Sequence, residues 1–173
     1  IVIMDDGHQN PTLKKSLSIV VIDGTNPFGN GHVFPKGPLR EPVAEGLARA
    51  DAVVVMGGDK IPDALSDFKG AVLRAHLAPL APLPPGRYIA FAGIGRPERF
   101  FDSLQTQPGV ELSESVSYPD HHAFQPSDIA YLMKLAKERD ARLVTTDKDH
   151  VRLPPDVKSH VMRASVEAKF EDP

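Results

Sequence analysis

Short runs of apolar, mostly β-branched residues recur along this chain, and each stops abruptly at aspartate or glycine. Ile1–Met4 is followed by Asp5-Asp6-Gly7, the run ending at Ile22 by Asp23-Gly24, Ala52–Met56 by Gly57-Gly58-Asp59, and Tyr88–Ala92 by Gly93. A continuous apolar run, as opposed to an alternating one, suits a strand buried in a parallel sheet. Ile1–Met4 is therefore expected to be a buried strand. A helix is expected over Pro42–Arg49, with proline at its first position. Strand, crossover and strand in succession predict an α/β fold of three layers, α/β/α, with mostly parallel sheets. Such sheets bind ligands outside the carboxyl ends of their strands, where these aspartates and glycines fall.

Leu17–Ile22 is the second strand candidate, and Thr25–Pro42 is a long Gly-, Asn- and Pro-rich loop. Loops of that length inside compact domains tend to be functional. Ala71–Leu77 reads as extended, and Pro79–Pro85 holds four prolines in seven residues, a stiff connection between two lobes. A second α/β series follows. It comprises a strand over Tyr88–Ala92, a helix over Pro97–Leu104, a strand over Gly109–Val116, a helix capped by Ser127 and running to Asp140, and a strand over Arg142–Thr145. Ile129, Leu132, Met133 and Ala136 share one face of the longer helix. Ser159–Val166 is expected to return beside Ala71–Leu77 as a two-stranded link.

Composition narrows the function classes. With no cysteine among 173 residues, disulfides and thiolate metal sites are excluded. The net charge of -3 gives no global attraction to nucleic acid. No apolar run approaches the ~18–20 residues of a membrane span. The opening strand has no lead-in and the last residues have no cap, so the chain is expected to be the back part of a larger protein.

Five tracts carry candidate chemistry. Adjacent carboxylates at Asp5 and Asp6 suit Mg²⁺, which takes one or two carboxylates plus phosphate oxygens, or else they cap a polar turn. In Gly37-Pro38-Leu39-Arg40-Glu41-Pro42, Arg40 could pair bidentately with phosphate or with a nearby carboxylate. Gly93-Ile94-Gly95 resembles half of a dinucleotide fingerprint, but Glu98 stands where the third glycine belongs, and no dinucleotide cofactor is expected. Asp120-His121-His122 could supply metal ligands, though the lack of cysteine and of other nearby histidines argues against zinc, or an acid–base histidine oriented by a carboxylate, or else solvent-exposed or locally bonded loop residues. Thr145-Thr146-Asp147-Lys148-Asp149 could hold phosphate through its hydroxyls and Lys148, or cap a helix through Thr146 or Asp147. No Gly-x-x-x-x-Gly-Lys-Ser/Thr occurs in the 173 residues.

Taken together, Asp5-Asp6-Gly7-His8-Gln9, Gly29-Asn30-Gly31, Gly37-Pro38-Leu39-Arg40-Glu41-Pro42, Gly93-Ile94-Gly95, Asp120-His121-His122 and Thr146-x-Lys148-Asp149 resemble, in this order, the tetraacyldisaccharide 4′-kinases of lipid A biosynthesis. The resemblance implies transfer of the γ-phosphate of ATP to the 4′-hydroxyl of tetraacyldisaccharide 1-phosphate, forming lipid IVA. The enzyme would work peripherally on the cytoplasmic face of the bacterial inner membrane. Residues 1–70 would be the second half of a P-loop-type kinase core, 71–85 an extended linker, 86–158 a Rossmann-like C-terminal α/β lobe, and 159–173 a return strand and truncated tail.

Carried over by position, Asp5 and Asp6 would serve Mg²⁺, and Gln9 would lie beside nucleotide or acceptor. Arg40 and Lys148 would engage phosphate. His121 would be catalytic, partnering an aspartate base upstream of this chain, with His122 as the alternative. Asn10 stands where the family usually has histidine; it keeps hydrogen bonding but cannot titrate. His8 stands where an apolar residue is common and is given no role. Lacking the P-loop, the 173 residues alone are expected to be inactive. Two other classes compete: a non-enzymatic Rossmann-like module binding a nucleotide or sugar, and an Asp-His-His-type metal phosphoesterase. Oligomeric state and acyl preference are not encoded in these tracts.

Overall fold

The computed structural model describes residues 1–171 and divides into two compact units. The first comprises Ile1–Ala78 with the segment from Ala168 on, and the second comprises Pro79–Glu167. Asp172 and Pro173, the end of the expected tail, lie outside the described residues.

In the first unit, β1 (Ile19–Asp23), α1 (Val43–Ala48), β2 (Ala52–Met56) and β3 (Ala71–Pro79) follow one another. The three strands are parallel neighbours, with Val21 opposite Val54 and Val54 opposite Leu73. Side chains alternate across a strand, so Val20, Ile22, Val53, Val55 and Val72 share one face. That face closes on Leu47, Leu65, Phe28 and Phe68. Opposite it, Ile19, Val21 and Leu73 remain 51%, 64% and 38% exposed. Pro42, expected as the first helical residue, is instead the N-cap of α1, and the helix begins one residue later at Val43.

Ile1–Met4 corrects the expectation of a buried strand. These residues form no regular structure, and Ile1, Val2 and Ile3 are fully exposed. A strand is defined by its ladder partner, and among the described residues none pairs with this run. Ala71–Leu77, expected as a connection, is instead built into the sheet beside β2.

The second unit contains β4 (Gly86–Ala92), α2 (Pro97–Gln105), β5 (Val110–Ser117), α3 (Pro126–Arg139), β6 (Arg142–Thr146), α4 (Asp147–Arg152), α5 (Pro155–Lys158) and β7 (Val161–Ala164). Its sheet has the order β5-β4-β6-β7 and is parallel throughout. Tyr88, Ala90 and Ala92 pack toward Phe100, Phe101 and Leu104 of α2. Ile89 and Phe91 face the other way, onto Leu132 and Leu135 of α3 and onto Phe124. All five consecutive residues Tyr88–Ala92 are 0% exposed, so both faces of this strand are core. At ~1.5–3 kcal/mol for each large apolar side chain buried, this strand dominates the unit's packing.

Ile129, Met133 and Ala136 pack on the same core as Leu132. The expected cap of α3 is corrected. Gln125 is the N-cap, and a reciprocal box with Asp128 ties it down, leaving Ser127 inside the first turn. The expected return strand over Ser159–Val166 is also divided. Val161–Ala164 is β7, paired with β6, and the strand neighbouring β3 is β8 (Val166–Phe170). Val161 turns into the core at 6% exposure, and that burial draws this stretch to the second sheet.

Candidate functional site

Within the first unit the loop after Gly7 and the Gly37–Pro42 loop, about thirty residues apart, meet at one place. Arg40 Nη1 donates to Asp6 Oδ1 at 2.7 Å, and Gln9 Nε2 donates to Glu41 Oε1 at 2.9 Å. Glu41 in turn accepts from Arg49 on both oxygens. Hydrogen bonding from Arg40, and then its charge, holds the Asp6 carboxyl below the usual carboxylate range; the guanidinium is pushed up in return. A hydrogen bond from Arg49, helped by one from Gln9, likewise holds the Glu41 carboxyl below its ordinary range. Asp6 and Arg40 are nonetheless 66% and 62% exposed, so their pair is held weakly and is open to a ligand.

A cavity of about 280 Å³ opens beside this pair. Its rim carries Asp6, Gln9, Arg40 and Glu41, and its lining includes Val20, Phe28 and Leu47 from the core side of the sheet. Gly37 is required at the turn. A Cβ there would collide with the Asn30 side chain and the His32 carbonyl. His8, given no role from sequence, latches the opening loop to the sheet and to α1. Its Nε2 lies 2.9 Å from the Gly46 carbonyl and its Nδ1 lies 2.7 Å from Ser18 Oγ. Because a carbonyl only accepts, Nε2 carries the proton in that bond.

Asp5 is exposed beside Asp6. Asn10 is spent locally, its Oδ1 accepting from Thr12 N at 2.9 Å and from Thr12 Oγ1 at 2.7 Å. Among the described residues no cluster of three or more His, Cys, Asp or Glu forms a ready metal cage. The donor set at Asp5 and Asp6 still suits a hard cation that takes one or two carboxylates and completes its shell with phosphate oxygens and water.

In the second unit three loops converge at the carboxyl ends of β4, β5 and β6. The first strand of the series, β4, has β5 on one side and β6 on the other, so the strand order reverses there. A crevice at that point is where α/β sheets hold ligands. Gly93 sits at the end of β4; a Cβ on it would press on His122 Cβ at 3.1 Å and on the Pro119 carbonyl at 3.2 Å. Close approach of the loops explains this glycine. Its N–H donates to Asp149 Oδ2 at 3.0 Å, and its carbonyl accepts from His121 N at 3.0 Å.

The two adjacent histidines separate cleanly. His122 Nε2 lies 2.8 Å from Asp128 Oδ2, and its ring stacks on Tyr118 at 4.7 Å and meets Phe124 edge-on. Its hydrogen bond, followed by one from Gln125 N, lowers the Asp128 carboxyl below its ordinary range. Burial pushes the Tyr118 phenol up to about 12. His122 thus builds the loop. His121 adopts a left-handed φ of 61°, and its side chain is 78% exposed. Lys148 is exposed on α4, whose N-cap Thr146 accepts from Asp149 N.

Comparison with known proteins completes the picture. The family model described as "Tetraacyldisaccharide-1-P 4'-kinase" matches residues 1–173. A protein of Hyphomonas neptunium named tetraacyldisaccharide 4′-kinase is 57% identical over 172 residues, covering 99% of this chain and 52% of its own length. Proteins of the same name from Maricaulis maris and Gluconacetobacter diazotrophicus are 53% and 49% identical, covering 100% and 99% of this chain. Of their own lengths, 52% and 53% are covered. The chain therefore spans about half the length of these curated relatives. No solved structure matches it.

Proposed function

The chain belongs to the tetraacyldisaccharide 4′-kinase family, and from that premise we propose that it serves an ATP-dependent lipid kinase. The reaction would move the γ-phosphoryl group of ATP onto the 4′-hydroxyl of tetraacyldisaccharide 1-phosphate. The hydroxyl oxygen forms the new P–O bond, the bond between γ-phosphorus and the bridging oxygen breaks, and ADP leaves. The hydroxyl proton passes to a carboxylate base supplied by the remainder of the full-length protein. The observation that carries this reading is the meeting of the Asp5-Asp6 turn and the Arg40 loop around one open cavity.

Phosphoryl transfer depends on positioning and charge neutralisation more than on covalent help from the protein. Arg40, paired with an exposed Asp6, can swing its fork onto a phosphate by giving up that solvent-exposed pair. Gln9 and Glu41 fix the two loops to each other while this happens. Asp5 and Asp6 would hold Mg²⁺. Such an ion, when bound, neutralises phosphate charge. Lys148, exposed at the second unit's sheet edge, would add a cation there, and His121 would act on the transfer through its ring. We place the protein peripherally on the cytoplasmic face of the inner membrane, where its acylated acceptor would reside. Co-sedimentation of the full-length protein with anionic vesicles tests that placement, and failure to sediment contradicts it.

Transfer of labelled γ-phosphate from ATP to tetraacyldisaccharide 1-phosphate by the full-length protein tests the reading. Divalent-dependent transfer should fall roughly 10²-fold or more in Asp5→Ala and in Arg40→Ala. No transfer by well-folded wild-type protein would instead favour a nucleotide- or sugar-binding module.

A further inference from the structure

Arg152 lies outside every motif read from the sequence, yet it links the most deeply buried carboxylate of the second unit to its most exposed candidate catalytic side chain. Asp149 is 0% exposed. Its Oδ2 accepts from Gly93 N at 3.0 Å and from Thr146 Oγ1 at 2.9 Å; its Oδ1 accepts from Arg152 Nη1 at 3.2 Å. One turn along α4, the guanidinium is thereby seated by a charge with no freedom to move. Its other terminal nitrogen, Nη2, lies 2.9 Å from His121 Nδ1. Nη1 also reaches the Gly93 carbonyl at 3.4 Å, the same oxygen that accepts from the His121 backbone N–H.

The chemistry of the partners settles the direction of the bond. Guanidinium has five donors and no lone pair to offer. Nδ1 of His121 must therefore accept, and the neutral imidazole must carry its proton on Nε2. With Nδ1 occupied, His121 presents only an Nε2–H donor to anything beyond it; Asp120 Oδ2, at 3.8 Å from Nε2, is too far to take that bond. The His121 side chain is 78% exposed, and the bond from Arg152 to Nδ1 holds its ring in one orientation.

We propose that Arg152, seated on Asp149, is a positioning residue that fixes the tautomer and orientation of His121 so that Nε2–H is the group presented to the reaction. This rests on the reading of His121 as a participant in phosphoryl transfer. His121 is then a hydrogen-bond donor, to a carboxylate base or to a phosphate oxygen, and not the acceptor of the sugar hydroxyl's proton. Lysine could not substitute, because a single ammonium lacks the planar fork that spans Asp149 and His121 together.

The test uses the full-length protein, with steady-state transfer kinetics for Arg152→Met, Arg152→Lys, His121→Ala and the Arg152→Met/His121→Ala double variant. Beside these, ¹⁵N shifts of labelled histidine side chains are recorded in alkaline buffer, and the His121 signals are assigned by their loss in His121→Ala. Arg152→Met should lower kcat roughly tenfold and leave the KM for ATP within about twofold, the range expected for a group that orients another. Arg152→Lys should recover little of the loss. The double variant should be no slower than His121→Ala alone, and the wild-type ring should show the Nε2–H tautomer, giving way to a mixture in Arg152→Met.

A wild-type rate in His121→Ala overturns the His121 reading itself, and the inference falls with it. A slowed His121→Ala beside an unimpaired Arg152→Met overturns the inference alone. An additive double variant also overturns it, since Arg152 would then act by another route. Should Arg152→Met not fold, the wild-type spectrum still decides: a predominant Nδ1–H tautomer is incompatible with the proposal.

Discussion

The two sheets of this chain are alike in composition and opposite in how they are closed. In the second, five consecutive strand residues, Tyr88–Ala92, vanish from solvent because α2 covers one face and α3 the other. In the first, Val20 and Ile22 turn into a core while Ile19 and Val21, between and beside them, stay largely exposed. The candidate chemistry follows the same division. Asp6 and Arg40 meet in the open at 66% and 62% exposure, whereas Asp149 and Arg152 meet at 0% and 28%. A charge pair in water is cheap to rearrange around a ligand, and a buried one is a fixed reference point. The first unit thus carries a charge pair free to rearrange, and the second a charge pair held in place.

The largest expected effect breaks or keeps the comparison directly. Phe91→Ala should destabilise the second unit by ~3–5 kcal/mol, since its ring is fully buried and edge-on to Phe124. Val21→Ala, at an equally apolar position of β1, should change the stability of the 173-residue chain by only about 0.5 kcal/mol or less. Urea unfolding of both variants checks this. Equal losses would mean that the open face of the first sheet is as tightly packed as the closed one.

A smaller effect concerns the Asp128–His122 pair. The folded Asp128 pKa is depressed by the hydrogen bond from His122. Its stabilisation is therefore fully present above the ordinary carboxylate value of ~3.9 and is lost as pH falls through the folded value. Asp128→Asn should be less stable than wild type near neutral pH, and the gap should close in acid. A gap that stays constant down to ~pH 2 would remove Asp128 from the list of groups that order this loop.

Much of this architecture is legible in the sequence. Ala52–Met56 and Tyr88–Ala92 are readable because an apolar run with glycine or aspartate at its end suits a buried strand in a parallel sheet. The same rule misread Ile1–Met4, because composition describes what a run would bury but not whether a partner strand lies beside it. Ser127 was read as a cap by residue type, while the actual cap depends on a reciprocal bond between Gln125 and Asp128 that the sequence shows only as a spacing of three. The Asp5-Asp6 and Arg40 tracts lie far apart in sequence, and their meeting is a matter of tertiary structure. The Asp120-His121-His122 tract by itself does not divide its two histidines, and the family resemblance alone favours His121 over His122; the physical difference lies in φ, stacking partner and exposure. Arg152 was missed altogether. The i,i+3 spacing from Asp149 on a helix was the one available signal.

The separation of those histidines is the claim on which the functional account turns, and one paired measurement reaches it: kcat and melting temperature of full-length His121→Ala and His122→Ala. The account predicts that His121→Ala loses roughly 10²-fold in kcat while melting as wild type does, in line with removal of one positioned hydrogen-bond donor. His122→Ala should melt several degrees lower and, while folded, transfer phosphate within a fewfold of the wild-type rate. The opposite pattern, a catalytic loss in His122→Ala with His121→Ala unimpaired, would contradict the account.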